Sequence, residues 1–128
     1  MFAKRVFLIA GIIGLIEILP LFFLEQHFST RLPPPINHPE WYYGFLAVTL
    51  PWQLVFLVIS TDPVRYRPIM PLAILEKFGF VIVMAILYGI GRTPVEMIPG
   101  PGIDMVLGVL FVMAYLKTGH RWGTDEHR

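Results

Sequence analysis

Cysteine is absent from the 128-residue chain. That excludes disulfides, thiolate metal sites and a cysteine nucleophile. Charge is scarce: 15% of residues are Asp, Glu, Lys or Arg, against about 25% in an average soluble domain. The net charge is only +1, so no global field draws the chain to nucleic acid. Nucleotide and nucleophile motifs are missing too, with no P-loop, G-x-G-x-x-G or G-x-S-x-G and hence no expected cofactor. The four histidines, His27, His38, His120 and His127, lack the i, i+4 helical spacing of a zinc motif, so no metal site is expected. What remains is apolar. Hydrophobic residues make up 55% of the chain, which excludes disorder and an ordinary soluble domain.

Crossing a bilayer core takes about 20 apolar residues at 1.5 Å each. Four runs approach that length: residues 6–24, 42–60, 71–91 and 103–117. The last is short and relies on Asp104 and Lys117 to reach the two interfaces. Backbone in lipid must satisfy its own hydrogen bonds, so the expected fold is all-α, an up-down transmembrane four-helix bundle forming a single domain. Lys4, Arg5, Arg65, Arg67, Lys117 and Arg121 fall on one side of the spans, and Arg31 and Arg92 on the other. The positive-inside rule then puts both termini in the cytoplasm and the chain in the cell inner membrane as a multi-pass protein. Aromatics mark the interfaces, with Trp41, Tyr42 and Tyr43 outside and Tyr66, Tyr115 and Trp122 inside. Lys4-Arg5 before an apolar run resembles a signal peptide. Glu17 interrupts that run and no A-x-A-like site follows, so an uncleaved first helix is expected.

The connections are turn chemistry. Residues 25–40 form the one long loop, where Pro33-Pro34-Pro35 would cap the outer mouth. Thr61-Asp62-Pro63 reads as an N-cap followed by a proline-opened turn. Residues 92–102 hold three prolines and two glycines, and Pro101 would open the fourth helix. Ala10-x-x-x-Gly14 and Ala85-x-x-x-Gly89 are small-residue patterns expected to serve packing within the bundle.

A charge at the centre of a lipid-facing helix costs about 2.5–3.5 kcal/mol, so polar residues within the spans should face inward. Depth follows from the rise per residue. Glu76 lies about 8 Å above the inner surface, Gln53 about 10 Å, Glu17 roughly 16 Å and Asp104 about 20 Å. Two polar layers are therefore expected, Gln53 with Glu76 and Lys77 below, Glu17 with Asp104 above. Glu17 has no basic partner on its own helix. It would hold a cationic or hydroxylated ligand, relay a proton, or donate a hydrogen bond to a neighbouring helix. Gln53 would tie two helices. Glu76 and Lys77 point about 100° apart; Lys77 would snorkel to the inner headgroups and Glu76 would pair with Arg65 or Arg67. Asp104 would complement a helix dipole from the first turn. Glu17, Gln53, Glu76 and Asp104 are the candidate ligand-binding residues, with no catalytic residue assigned. Arg65 and Arg67 are candidates for an anionic lipid headgroup.

The stretch from Trp41 through Asp62-Pro63-Val64-Arg65-Tyr66-Arg67-Pro68 to Glu76-Lys77 and Ile103-Asp104 resembles small uncharacterised four-helix membrane proteins of bacteria. Pro39-x-Trp41-x3-Phe45-x7-Gln53-x2-Phe56 is similar to the second helix of the EXPERA (emopamil-binding-like) proteins. That resemblance implies a four-helix bundle binding sterol-like or cationic amphiphiles, some members being isomerases. The family carries an acid where this chain has Thr49, and Glu25 stands one residue out of step with its first-helix acid. The DoxX-like proteins are similar in architecture alone. Three functional expectations follow. The first is binding of a small amphiphile, lipid or quinone between helices, anchored by Glu17. The second is an accessory subunit bound to a membrane-protein partner. The third is an intramembrane isomerase using Glu17 as acid–base, with Asp104 or Gln53 assisting. Four spans leave little room for the two gates of a transporter.

Overall fold

The computed structural model describes residues 1–119. His120, Arg121, Trp122 and His127 lie outside the described residues. The chain is an all-α membrane protein. Its helices are α1 (Phe2–Leu21), α2 (Glu25–Arg31), α3 (Pro39–Thr61), α4 (Met70–Gly89) and α5 (Pro99–Lys117). Among the described residues, three helical stretches are long and apolar enough to cross a membrane, or four when α1 and α2, bent by 76° at their junction, count as one span.

Three expectations about the elements are corrected. Residues 25–31 are helical rather than loop. The fourth helix is not short: it starts at Pro99 and runs 19 residues. The first four N–H groups of a helix have no intrahelical acceptor, so Pro99 and Pro101 sacrifice nothing there. Gly102 N–H is the first to donate, to Ile98 O at 2.9 Å. The proline-opened turn after α3 continues past Pro68 as a 3-10 turn, Arg67–Ile69. Asp62 does cap that connection, its Oδ1 accepting from Arg65 N–H at 3.3 Å.

Helix α1 packs along α3 and also along α5; α4 packs along α5; α3 and α4 meet only marginally. Small residues set the two closest approaches. Ala10, Gly11 and Gly14 are buried on one stripe of α1. A Cβ on Gly11 would stand 2.5 Å from Leu57 Cδ2, and one on Gly14 would overlap the Gln53 amide. Between α4 and α5, a Cβ on Gly108 would meet the Phe78 ring at 2.9 Å. Ala85 and Gly89 are both exposed, so the packing expected of that pair is not made within the chain.

The core fills one end of the molecule, the end bearing Met1 and the α3–α4 connection. Phe7 stacks on Phe111 with ring centroids 4.3 Å apart, and Phe56 meets Phe111 edge-on at 5.0 Å. This trio joins α1, α3 and α5, and Ile59, Met70, Ala73 and Ala114 close around it. Between helices in a membrane such packing gains van der Waals contact rather than relief from water, because lipid tails are as apolar as the core. Arg67 seals the same end. Its guanidinium lies 3.7 Å from the Tyr115 ring centroid, and Nε and Nη2 donate to Tyr115 O at 3.1 and 3.0 Å. Those bonds satisfy an orphan carbonyl at the end of α5. Towards the other end the interior is hollow.

Candidate functional site

The hollow half is a cavity of about 510 Å3, within the usual range for small-molecule sites. Each of the four long helices contributes a polar group: Glu17 from α1, Thr49 and Gln53 from α3, Glu76 and Lys77 from α4, Asp104 from α5. The remaining wall is mostly apolar, including Ile18, Phe45, Trp52, Phe80, Met84 and Leu107. A second cavity of about 410 Å3, under α2 and the proline loop, shares Leu21, Phe28, Phe45, Met84 and Met97 with the first. Across the marginal α3–α4 contact, Phe45 stacks on Phe80 in the cavity wall with ring centroids 5.8 Å apart.

Lys77 organises the polar groups. Its side chain is buried at 3% exposure. The ammonium donates to Asp104 Oδ1 at 3.2 Å, stands 3.7 Å from Glu76 Oε2, and lies 5.1 Å from the Phe56 ring centroid. This corrects four expectations. Lys77 does not snorkel, because two carboxylates inside the bundle compete with the headgroups for its charge. Neighbouring Glu76 and Lys77 do come together, because both charges sit on flexible stems. Their 3.7 Å separation is an ion-pair contact too long for a hydrogen bond, which leaves Glu76 Oε2 buried without a hydrogen-bond partner. Glu76 pairs with neither arginine: Arg67 is engaged with α5, and Arg65 is exposed with its guanidinium 5.5 Å from the Tyr66 ring. Asp104 is the sixth residue of α5, past the first turn, so its partner is the lysine and not the helix dipole.

The two expected layers are therefore one site bridged by Lys77. Glu17 joins it. Its carboxyl is half-buried at the cavity wall and near enough to feel the charges of Asp104 and Lys77. Among the described residues it makes no side-chain hydrogen bond or ion pair. Gln53 does not tie two helices. Its Nε2 donates to Thr49 O on its own helix at 2.9 Å, and its Oε1 is buried against Gly14 with no hydrogen-bond partner. Arg67, proposed from the sequence for a lipid headgroup, spends its Nε and Nη2 donors on protein oxygens.

No protein-family model, curated protein or solved structure matches this chain. Its chemistry has to be read from the site itself. The described residues hold no cluster of three or more His, Asp or Glu placed to bind a metal ion. The site offers acceptors and negative charge within a mostly apolar chamber, and near α2 two tyrosines of α3 bond to α1 and α2. Tyr42 Oη donates to Leu21 O, and Tyr43 Oη to Glu25 Oε2 at 2.8 Å.

Sequence reasoning missed three parts of this arrangement. Lys77 was assigned to the headgroups, although an unpaired acid at the next position and another on α5 were on the page. Trp52 was not singled out, yet it lines the chamber one residue before Gln53. Helix α2, carrying Phe28 to both cavities, has no periodic apolar pattern long enough to declare it.

Proposed function

We propose that the protein is a four-span up-down bundle of the cell inner membrane, with both termini cytoplasmic, that binds a small amphiphile, lipid or quinone between its helices with Glu17 as the polar anchor. The observation that carries this reading is the convergence of Glu17, Gln53, Glu76 and Asp104, from four different helices, on one otherwise apolar cavity. Intramembrane polar groups are expensive to bury and are characteristic of binding sites and ion paths. The loosely packed α3–α4 seam is where an apolar tail would enter from the bilayer, leaving the head to reach the acids.

The topology rests on length and charge. Helix α1 has 20 residues, about 30 Å, enough for a bilayer core. In this reading α2, bent by 76° from α1, lies along the outer interface. Arg65 remains free for an anionic lipid headgroup at the cytoplasmic end. The likeness of Pro39–Phe56 to the emopamil-binding-like second helix leans the same way, with Thr49 where that family carries an acid.

The test is native mass spectrometry of the chain extracted gently from its own membrane. A discrete bound mass, lost in Glu17→Gln, is expected. A bare chain, or a mixture of bulk lipids indifferent to the substitution, overturns the reading in favour of an accessory subunit of a membrane complex.

A further inference from the structure

We infer that the polar cavity is an aqueous vestibule entered from one face only, the face bearing α2 and the α4–α5 connection. The vestibule stands apart from what the cavity binds. Joined to the amphiphile-binding reading, it puts the ligand's head in contact with the water of that face. The cavity wall begins at an aqueous edge. Glu96 lines the cavity from the short connection between α4 and α5, and it is exposed. A charged side chain between two spans belongs at the level of water or headgroups. Counted from the same end, Glu17 and Asp104 lie about 6 and about 8 Å along their helices, and Thr49 and Lys77 about 15 and about 18 Å. All four line the same cavity. Polar groups thus occupy successive levels from the edge to the middle of the bundle.

Charge and volume decide what fills the space. Four carboxyls, Glu17, Glu76, Glu96 and Asp104, line the cavity with one ammonium, Lys77. Glu96 is solvated at the edge. Of the three acids further in, one ammonium offsets one. Left dry, the others would have to take up a proton or bear a costly charge, and hydration is the cheaper answer. Water enters a cavity that is both polar and roomy. A volume of about 510 Å3, at about 30 Å3 per molecule, has room for about fifteen.

The opposite face is sealed directly beneath the polar groups. The Lys77 ammonium lies 5.1 Å from the Phe56 ring centroid. That ring already belongs to the core: it meets Phe111 edge-on at 5.0 Å, and Phe111 stacks on Phe7 at 4.3 Å. These three rings, with Ile59, Met70 and Ala73, are fully buried. Side chains packed to that degree leave few gaps a water can occupy. Arg67 covers the end beyond them, bonded to Tyr115 O. The vestibule is therefore a dead end and not a pore.

The chain has no cysteine, so each introduced cysteine is its one thiol. A thiol in water ionises and reacts, whereas one in lipid or in the core stays protonated and inert. Five full-length variants are compared. Glu96→Cys marks the edge of the vestibule and Arg65→Cys, also exposed, the opposite face. Thr49→Cys reports the deep wall. Ile82→Cys, exposed but lining neither cavity, reports lipid, and Ala73→Cys reports the core. Each is treated with a membrane-impermeant cationic methanethiosulfonate in right-side-out and in inverted vesicles of the membrane that holds it. Thr49→Cys is expected to react from the Glu96 face alone, about tenfold or more faster than Ile82→Cys, with Ala73→Cys inert from both faces. A folded Thr49→Cys that is no faster than Ile82→Cys, or that reacts from the Arg65 face, overturns the vestibule and leaves amphiphile binding to be judged by its bound mass. Reaction of Ala73→Cys from either face overturns the seal, and the inference with it. Labelling of Glu96→Cys and Arg65→Cys from the same face overturns the four-span topology and the inference together. Circular dichroism checks each fold, and Ala114→Cys, also fully buried, replaces Ala73→Cys if that variant does not fold.

Discussion

Replacing Lys77 by Met removes the cation that lines the polar cavity and tests whether the site is held together as described. The ammonium is 3.2 Å from Asp104 Oδ1 and 3.7 Å from Glu76 Oε2. At an effective dielectric of about 20 these contacts correspond to about 5 and about 4 kcal/mol of attraction before desolvation is counted. Burying the three ions offsets much of that sum. The quantity an experiment reads is the cost of stranding the two acids, about 3–5 kcal/mol for a buried pair broken on one side. Lys77→Met should therefore lower the unfolding free energy by about that amount, measured by circular dichroism in mixed micelles titrated with a denaturing detergent. Adding Asp104→Leu to Lys77→Met should recover part of the loss, because an apolar pair replaces a stranded charge. The coupling between the two positions should exceed about 1 kcal/mol. Additivity within about 0.5 kcal/mol, or a neutral Lys77→Met, would refute the assignment of Lys77 as the organising cation.

Four other substitutions, one of them a control, probe three separate joints. Gly14→Ala should cost about 1–3 kcal/mol by overpacking, since its Cβ overlaps the Gln53 amide; Gly79→Ala, with open space around its Cβ, should be neutral or slightly stabilising in the same unfolding assay. Arg67→Lys loses the fork that serves Tyr115 O and the stack on the Tyr115 ring, so amide exchange at residues 114–118 should accelerate about tenfold, and unchanged exchange would mean the end of α5 is held by something else. Tyr43→Phe deletes the bond to Glu25 Oε2 and should loosen α2 by about 1 kcal/mol, read as faster exchange over residues 25–31 with α3 unchanged.

The spans were legible because bilayer thickness imposes a length that composition reveals. Their ends were not. Pro99 and Pro101 look like loop chemistry, yet prolines in a first turn occupy positions whose N–H groups have nothing to bond within the helix. Helix α2 was hidden for a different reason. Seven residues with Glu25, Gln26, His27 and Arg31 among them do not make a stable helix in isolation. This one is held by tertiary contacts, through Phe28 at the cavity wall and Glu25 accepting from Tyr43. The site residues were legible individually, as polar groups where lipid forbids them. Their partners were not, since Lys77 and Asp104 are 27 positions apart on different helices.

Depth arithmetic separated Lys77 from Asp104 because a rise per residue locates backbones, while charges sit at the ends of side chains. A lysine stem can carry its ammonium toward the headgroups or deeper into the bundle, and the choice is a competition between solvation and pairing. With Glu76 beside it and Asp104 opposite, pairing wins, and two buried acids share one cation. Once that cation is spent, the orphaned oxygens of Gln53 and Glu76 are not isolated defects. The residues that carry them line one cavity together with Glu17. A bundle stabilised only from within has no use for three sets of acceptors without donors in one chamber, because apolar side chains of the same size would cost it less. Polar side chains kept in an apolar chamber at that cost are the feature on which the proposed binding function rests.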